Sequence, residues 1–123
     1  MCARANRAAT ALEARIATAQ RASDPDVVYR DVAVLTRTRS ATAQRYLTSL
    51  DALTPPSDDR DAIKGWIAGQ RRRQQLVLAL ADAFAAREDA RISTLSQRID
   101  AANSVANAFA RRYGLTACAR TVA

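Results

Sequence analysis

The stretch LTPPSDDRDAIKGWIAGQ (residues 53–70) holds the end of one helix and the start of the next. Thr54-Pro55-Pro56 stops what precedes it, because a residue before proline avoids the α region. Asp58, Asp59 and Asp61 then put negative charge on a first helical turn, where the macrodipole favours it. From there Ile63, Trp66 and Ile67 continue at three-and-four spacing through Val77, Leu80, Ala81 and Phe84. A stop followed closely by a start leaves a short loop, and helices joined by short loops pack antiparallel.

The same punctuation recurs on either side. Upstream, Val28, Val32, Leu35, Tyr46, Leu50 and Leu53 form the stripe of a second helix. Ser23-Asp24-Pro25 opens it, with Asp24 as N-cap and Pro25 at the first helical position. A first helix over residues 2–22 carries Leu12 and Ile16 among alanines. Downstream, a weaker break falls at Arg87-Glu88-Asp89, where Asp89 can cap a new helix; one continuous bent helix is the competing reading. The last stripe is Ile92, Leu95, Ile99, Ala102, Ala106, Phe109 and Tyr113, closed by Gly114 as a left-handed cap. Four helices of roughly 20 to 30 residues, about 30 to 45 Å long, predict an all-α, antiparallel up-down-up-down four-helix bundle. It spans residues 1–123 as a single domain.

Composition agrees with this. The chain has 123 residues, 49% of them hydrophobic, with three Gly and three Pro. That argues for a helical, packed domain over disorder. No apolar run approaches the ~20 residues of a membrane span. MCARANRAAT (residues 1–10) has charge but no apolar segment behind it, so no secretion leader is legible. Net charge is +7, and the basic set is arginine apart from Lys64. Such a balance favours acidic partners: an anionic small molecule, a cell-envelope component, an acidic protein surface or nucleic acid. Codon composition accounts for the arginine bias equally well.

The two cysteines test the topology. Cys2 opens the first helix and Cys118 follows the last. An up-down-up-down bundle puts both at one pole, so the fold predicts that they are neighbours. A bridge between them would be worth roughly 4.7 kcal/mol on the chain-entropy account of a ~100-residue loop, and would imply an oxidising compartment. The alternatives are two unpaired thiols, or Cys2 as the lipid-bearing first residue of a lipoprotein.

With these residues assembled, the chain resembles a group of small bacterial extracytoplasmic helical-bundle domains. The resemblance runs through residues 53–70, LVLALADAFAARED (76–89) and ANAFARRYGLTACA (106–119). Its pattern is a Cys opening helix one, Pro-Pro before a helix bearing Trp, and a closing Gly-Leu-x-x-Cys. Those positions are Cys2, Pro55, Pro56, Trp66, Gly114, Leu115 and Cys118. The resemblance implies an extracytoplasmic setting, secreted or tethered, and a Cys2–Cys118 disulfide; it implies no activity. Where such domains have Gly-Asp before helix four, this chain has Arg87-Glu88-Asp89.

Little here speaks for catalysis. With no histidine the usual general base and commonest metal ligand are missing, and no Ser-His or Cys-His pair can form. Carboxylate di-iron bundles need Glu-x-x-His pairs, and the chain has only Glu13 and Glu88. Asp58-Asp59-Asp61 lacks the calcium-loop pattern and reads as helix capping. Gly65, Gly69 and Gly114 are isolated, so there is no phosphate loop. The expectation is a non-enzyme with no cofactor and no metal. Trp66 reads as core with its indole N–H bonded.

What remains is GQRRRQQ (residues 69–75), polar in the middle of an apolar helix. The core register Ile63, Ile67, Gln70, Gln74, Val77 puts two glutamines at central positions with Arg73 beside them. Helix two has a matching interruption at Thr38, Arg39 and Thr42. Counted from Pro55, Arg39 and Arg73 fall at nearly one height, facing Ala8, Ala9, Ala102, Asn103 and Ala106. Consecutive helical residues fan through 200°, so Arg71-Arg72-Arg73 belts the helix instead of striping it. The guanidiniums either snorkel outward or meet an anion. In the second case Arg39, Thr42, Gln70, Arg73 and Gln74 form a waist pocket between helices two and three, clamping a carboxylate or phosphate. Three functions follow: an extracytoplasmic interaction or envelope-associated module, an anionic-ligand-binding bundle, and a nucleic-acid binder. The third draws on charge alone, since no basic stripe with interleaved aromatics is present.

Overall fold

The computed structural model describes residues 2–119. Its helices are α1 (Cys2–Gln20), α2 (Pro25–Asp51), α3 (Arg60–Ala85) and α4 (Asp89–Arg112), with 3₁₀ turns at Ser57–Asp59 and Thr116–Cys118. No strand occurs among the described residues. Arg37 pairs with Asp82 at 2.8 Å and Asp51 with Arg71 at 2.9 Å. Rising numbers on α2 meet falling numbers on α3, so the two run antiparallel. The all-α up-down-up-down bundle expected from the punctuation is the fold.

Each boundary has a local cause. The Asp24 carboxylate accepts a hydrogen bond from the Asp26 N–H at 2.9 Å, with Pro25 as the first helical residue. α4 closes on Gly114 at φ 71°, and the Leu115 N–H reaches back to the Ala110 carbonyl at 2.7 Å. α3 closes in the same way without a glycine. The Glu88 N–H donates to Ala83 O at 3.0 Å and the Arg87 N–H to Phe84 O at 3.1 Å, while Arg87 takes φ 55°. The helix therefore breaks at Arg87, and the continuous bent helix is not formed.

A left-handed arginine is sterically disfavoured, and its side chain offsets this. The guanidinium pairs with Asp26 and lies over the Tyr29 ring, 5.2 Å from its centroid. Tyr29 in turn donates its hydroxyl to Asp89 Oδ1 at 2.6 Å. These contacts tie the start of α2 to the α3–α4 turn. Arg87→Ala keeps the backbone strain and loses the contacts, whereas Arg87→Gly loses both. The glycine variant is expected to melt above the alanine variant by on the order of 4 °C; equal melting points would mean that the turn is unstrained.

The Asp89 hydrogen bond raises the Tyr29 phenol above its ordinary value of 10.0. A raised acid favours folding while it stays protonated, so this contribution is present at neutral pH. It disappears as pH climbs past 10 through the raised value. In a phenolate absorbance titration, the step lost on Tyr29→Phe should lie above pH 10. A step at or below 10 would contradict the bond.

The core comprises Val32, Ala33 and Leu47 of α2, Ile67, Val77, Ala81 and Ala83 of α3, and Leu95, Ile99 and Ala110 of α4. Among the described residues α1 buries none fully; Leu12 and Ile16 are half-buried. Leu53, expected on the core stripe, is 56% exposed because α2 has already ended at Asp51. α1 packs on α2, α2 on α3 and α3 on α4. The backbones of α1 and α4 nowhere come within 8 Å, Cα to Cα; the closing 3₁₀ turn touches both. Cys2 and Cys118 meet at that turn in a disulfide, Cα atoms 5.0 Å apart. Neither cysteine is a free thiol.

Candidate functional site

The three consecutive arginines take three directions, as their helical fan requires. Arg71 reaches Asp51 of α2. Arg72 lines a groove on the α3–α4 face. Arg73 turns inward and is 8% exposed, and its Nη1 donates to Gln70 Oε1 at 3.3 Å.

Arg73, Gln70 and Gln74 line one partly open cavity of about 110 Å³. All four helices contribute to it: Asn6 from α1, Tyr46 and Leu47 from α2, Trp66 from α3, and Asn103 and Asn107 from α4. The disulfide forms its end. Among the described residues that line it, Arg73 carries a formal charge, and the other polar side chains are Tyr46 and the carboxamides Asn6, Gln70, Gln74, Asn103 and Asn107. A carboxamide can bond a guanidinium through its oxygen or an anion through its NH₂.

Arg39 and Thr42 line neither this cavity nor the α3–α4 groove. Arg39 pairs with Glu13 of α1 at 2.8 Å. Thr42 donates to the Thr38 carbonyl at 3.0 Å and accepts from Arg45 at 3.2 Å. The reason is register. The Arg37–Asp82 and Asp51–Arg71 pairs centre the α2–α3 hairpin near residues 59–61, beyond the extra 3₁₀ turn, instead of at Pro55. On that register Arg39 lies beside the Arg37–Asp82 pair, and the α2 residues that share the cavity with Arg73 are Ala43, Tyr46, Leu47 and Leu50. Arg39 and Thr42 therefore do not share the cavity that Gln70, Arg73 and Gln74 line, and Arg39 is paired with Glu13. Ala8 and Ala9 are likewise replaced by Ala5 and Asn6, a turn nearer the disulfide.

The polar positions that α2 does bury are Thr36 and Ser40, at 4% and 0% exposure. Ser40 Oγ accepts from Gln44 Nε2 at 3.4 Å. Both are small enough to pass as core without an apolar signature. Asn107, 6% exposed, was hidden for a different reason. It lies one residue from Ala106 on the chosen stripe, and a single helical position decides between cavity and solvent. Asp59 occupies the N-cap of α3 without a side-chain cap bond, and Asp58 accepts from the Ser57 hydroxyl at 3.3 Å.

The groove outside the cavity lies between α3 and α4 and measures about 530 Å³. Trp66, Gln70, Arg73 and Ala106 line both spaces, so they form the wall between them. The Trp66 indole N–H donates to the Ala106 carbonyl at 3.2 Å. Its ring stacks on Phe109 at 6.0 Å, and Phe109 on Tyr113 at 4.4 Å. Trp66 is thus packed and bonded as a core residue while also facing the groove.

Among the described residues no helix is long and apolar enough to cross a membrane. No protein-family model, curated protein or solved structure matches the chain.

Proposed function

We propose that the protein is a non-catalytic, extracytoplasmic helical-bundle module that serves as an interaction or envelope-associated domain. The observation that carries this is the Cys2–Cys118 disulfide, which joins the start of α1 to the turn after α4. Disulfides that close a whole domain persist in oxidising compartments and are kept reduced in the cytosol of most organisms. The net charge of +7 supports a polyanionic surface or partner as its target. Trapping thiols with an alkylating agent in cells of the native host tests the setting. Both cysteines should resist alkylation until reductant is added; modification of both without reductant places the chain in a reducing compartment and ends this reading.

The cavity favours a second reading, a bundle that binds a small anion. Its support is the donor set that lines it, the Arg73 guanidinium together with the carboxamides of Asn6, Gln70, Gln74, Asn103 and Asn107. Charge-assisted and amide N–H donors of this kind suit a carboxylate or phosphate. Millimolar acetate or phosphate should raise the melting temperature, and Arg73→Met should lose the increase. An increase that survives in the variant assigns the binding elsewhere.

A further inference from the structure

The α3–α4 groove lies on the outer side of the wall that Trp66 and Ala106 share with the cavity. On α3 its lining runs from Ala62 to Leu76, about 21 Å of helix. On α4 it includes Val105, which is 74% exposed. Arg98, Val105 and Arg112 recur every seven residues, about two turns, and so share one edge of α4. Both arginines are exposed and stand about 21 Å apart along the helix. Arg72 lines the opposite side of the groove. None of Arg72, Arg98 and Arg112 has a carboxylate three or four residues away in its own helix. None of the three forms an ion pair among the described residues. Arg91 shows the contrast, since it is paired with Glu88 at 2.9 Å. The nearest carboxylates in sequence are Asp61, beside Ala62 at the end away from Arg72, and Asp100, which its two-residue offset from Ala102 turns away.

Between these rims the floor is open. A Cβ built on Gly65 meets nothing within 4 Å, and one on Gly69 meets only the Arg72 guanidinium at 3.7 Å. Glycine in a helix interior weakens it relative to alanine, and no contact inside this chain asks for either one. Trp66 and Phe109, stacked at 6.0 Å, supply aromatic surface beside that floor. An apolar trough about four turns long with cations on both rims is complementary to a helix with an apolar face and acidic flanks. A bilayer is flat and would reach the rims without filling the floor. A second copy laid face to face brings the same cations and is repelled.

We infer that the α3–α4 groove docks an acidic amphipathic helix of a partner protein. The partner's apolar residues, at three-and-four spacing, lie over Gly65 and Gly69 against Trp66 and Phe109 and cover Val105. Its flanking carboxylates meet Arg98 and Arg112 on one side and Arg72 on the other. This rests on the interaction-module reading and adds the surface and the chemistry of what it holds.

The test is a display library of helical peptides of about 18 residues, roughly five turns, selected against the disulfide-bonded protein. Leucines are fixed along one face, the flanking positions are randomised and tryptophan is left out. Enriched peptides should carry Asp or Glu at the flanks and give a saturable change in the fluorescence of Trp66, the chain's single tryptophan. Arg72→Glu/Arg98→Glu should weaken them at least roughly tenfold. Gly65→Leu/Gly69→Leu, which fills the floor, should weaken them as much. Both variants should melt within a few degrees of the parent, because the arginines are exposed and leucine favours a helix more than glycine does. Enrichment without a preference for acidic flanks, or binding that both variants keep, overturns the inference. So does dimerisation in sedimentation that the floor variant loses, which makes a second copy the occupant. Phosphatidylglycerol vesicles that bind parent and floor variant alike, with no acidic helix enriched, make the occupant a bilayer and overturn it too. Cysteines protected in cells together with no acidic helix enriched leave the interaction-module reading standing and end this inference alone.

Discussion

Replacing both cysteines, Cys2→Ser/Cys118→Ser, should lower the melting temperature by roughly 15–20 °C, the largest single effect expected in this molecule. The bond closes a sequence separation of 116 residues, and the chain-entropy account assigns about 4.7 kcal/mol to a loop of that order. The loss should be uneven. α1 has no fully buried residue among those described, and its backbone comes within 8 Å, Cα to Cα, of α2 but of neither α3 nor α4. Its other tether is the closing turn. Hydrogen exchange over residues 2–20 should therefore accelerate on reduction, while amides around Val77 and Ala81, among the most buried positions, keep their protection below the new melting point. Uniform acceleration through α3 would mean that α1 is an integral part of the core and not a strapped-on fourth rod.

Trp66→Ala should cost about 3 kcal/mol, the lower end for a large aromatic because the residue is only partly buried. Three interactions go with it: the bond to the Ala106 carbonyl, the stack on Phe109 and the wall between cavity and groove. Trp66→Phe keeps a ring on Phe109 but leaves the carbonyl without its indole donor, so about 1 kcal/mol is expected. Denaturant melts of the two variants measure the split. If both cost the same, the hydrogen bond carries the contribution and the ring packing does not; if Ala costs under 1 kcal/mol, α3 and α4 are held together elsewhere.

Most of the architecture was legible because proline, aspartate and glycine act locally. Pro25 with Asp24, Pro55 with Pro56, and Gly114 each mark a helix end through their own backbone or side chain. The topology they imply brought Cys2 and Cys118 together before any contact was known. Arg87 shows where local signals thin out: it does a glycine's work at a helix end, and only the guanidinium's distant partners, Asp26 and Tyr29, make that tolerable.

The candidate site was legible only in part, for a reason of register. Gln70, Arg73 and Gln74 share one helix, so their common face follows from spacing alone. Arg39 and Thr42 had to be matched to them across a turn. An extra 3₁₀ turn shifted that match enough to hand Arg39 to Glu13. Asn103 and Asn107 share a face of α4 by their four-residue spacing, but Asn6 lies on α1 and none of the three is an apolar marker, so no apolar stripe draws them together. The separation of α1 from α4 is likewise a property of packing, invisible in a chain read one helix at a time.

Charge follows the same division. Arg37, Arg39 and Arg71 are each spent on a carboxylate of a neighbouring helix. Pairs this exposed stabilise only modestly, and their larger effect is to set register. Arg72 lines the α3–α4 groove, and Arg73 lines both that groove and the cavity.

The most direct measurement is a tryptic map of the unreduced protein after alkylation in denaturant. A strap that draws the first helix to the last turn predicts one species in which residues 1–4 remain joined to 113–120, separating only after reduction. Two separate peptides, each alkylated at its cysteine, would leave α1 unfastened and contradict the account.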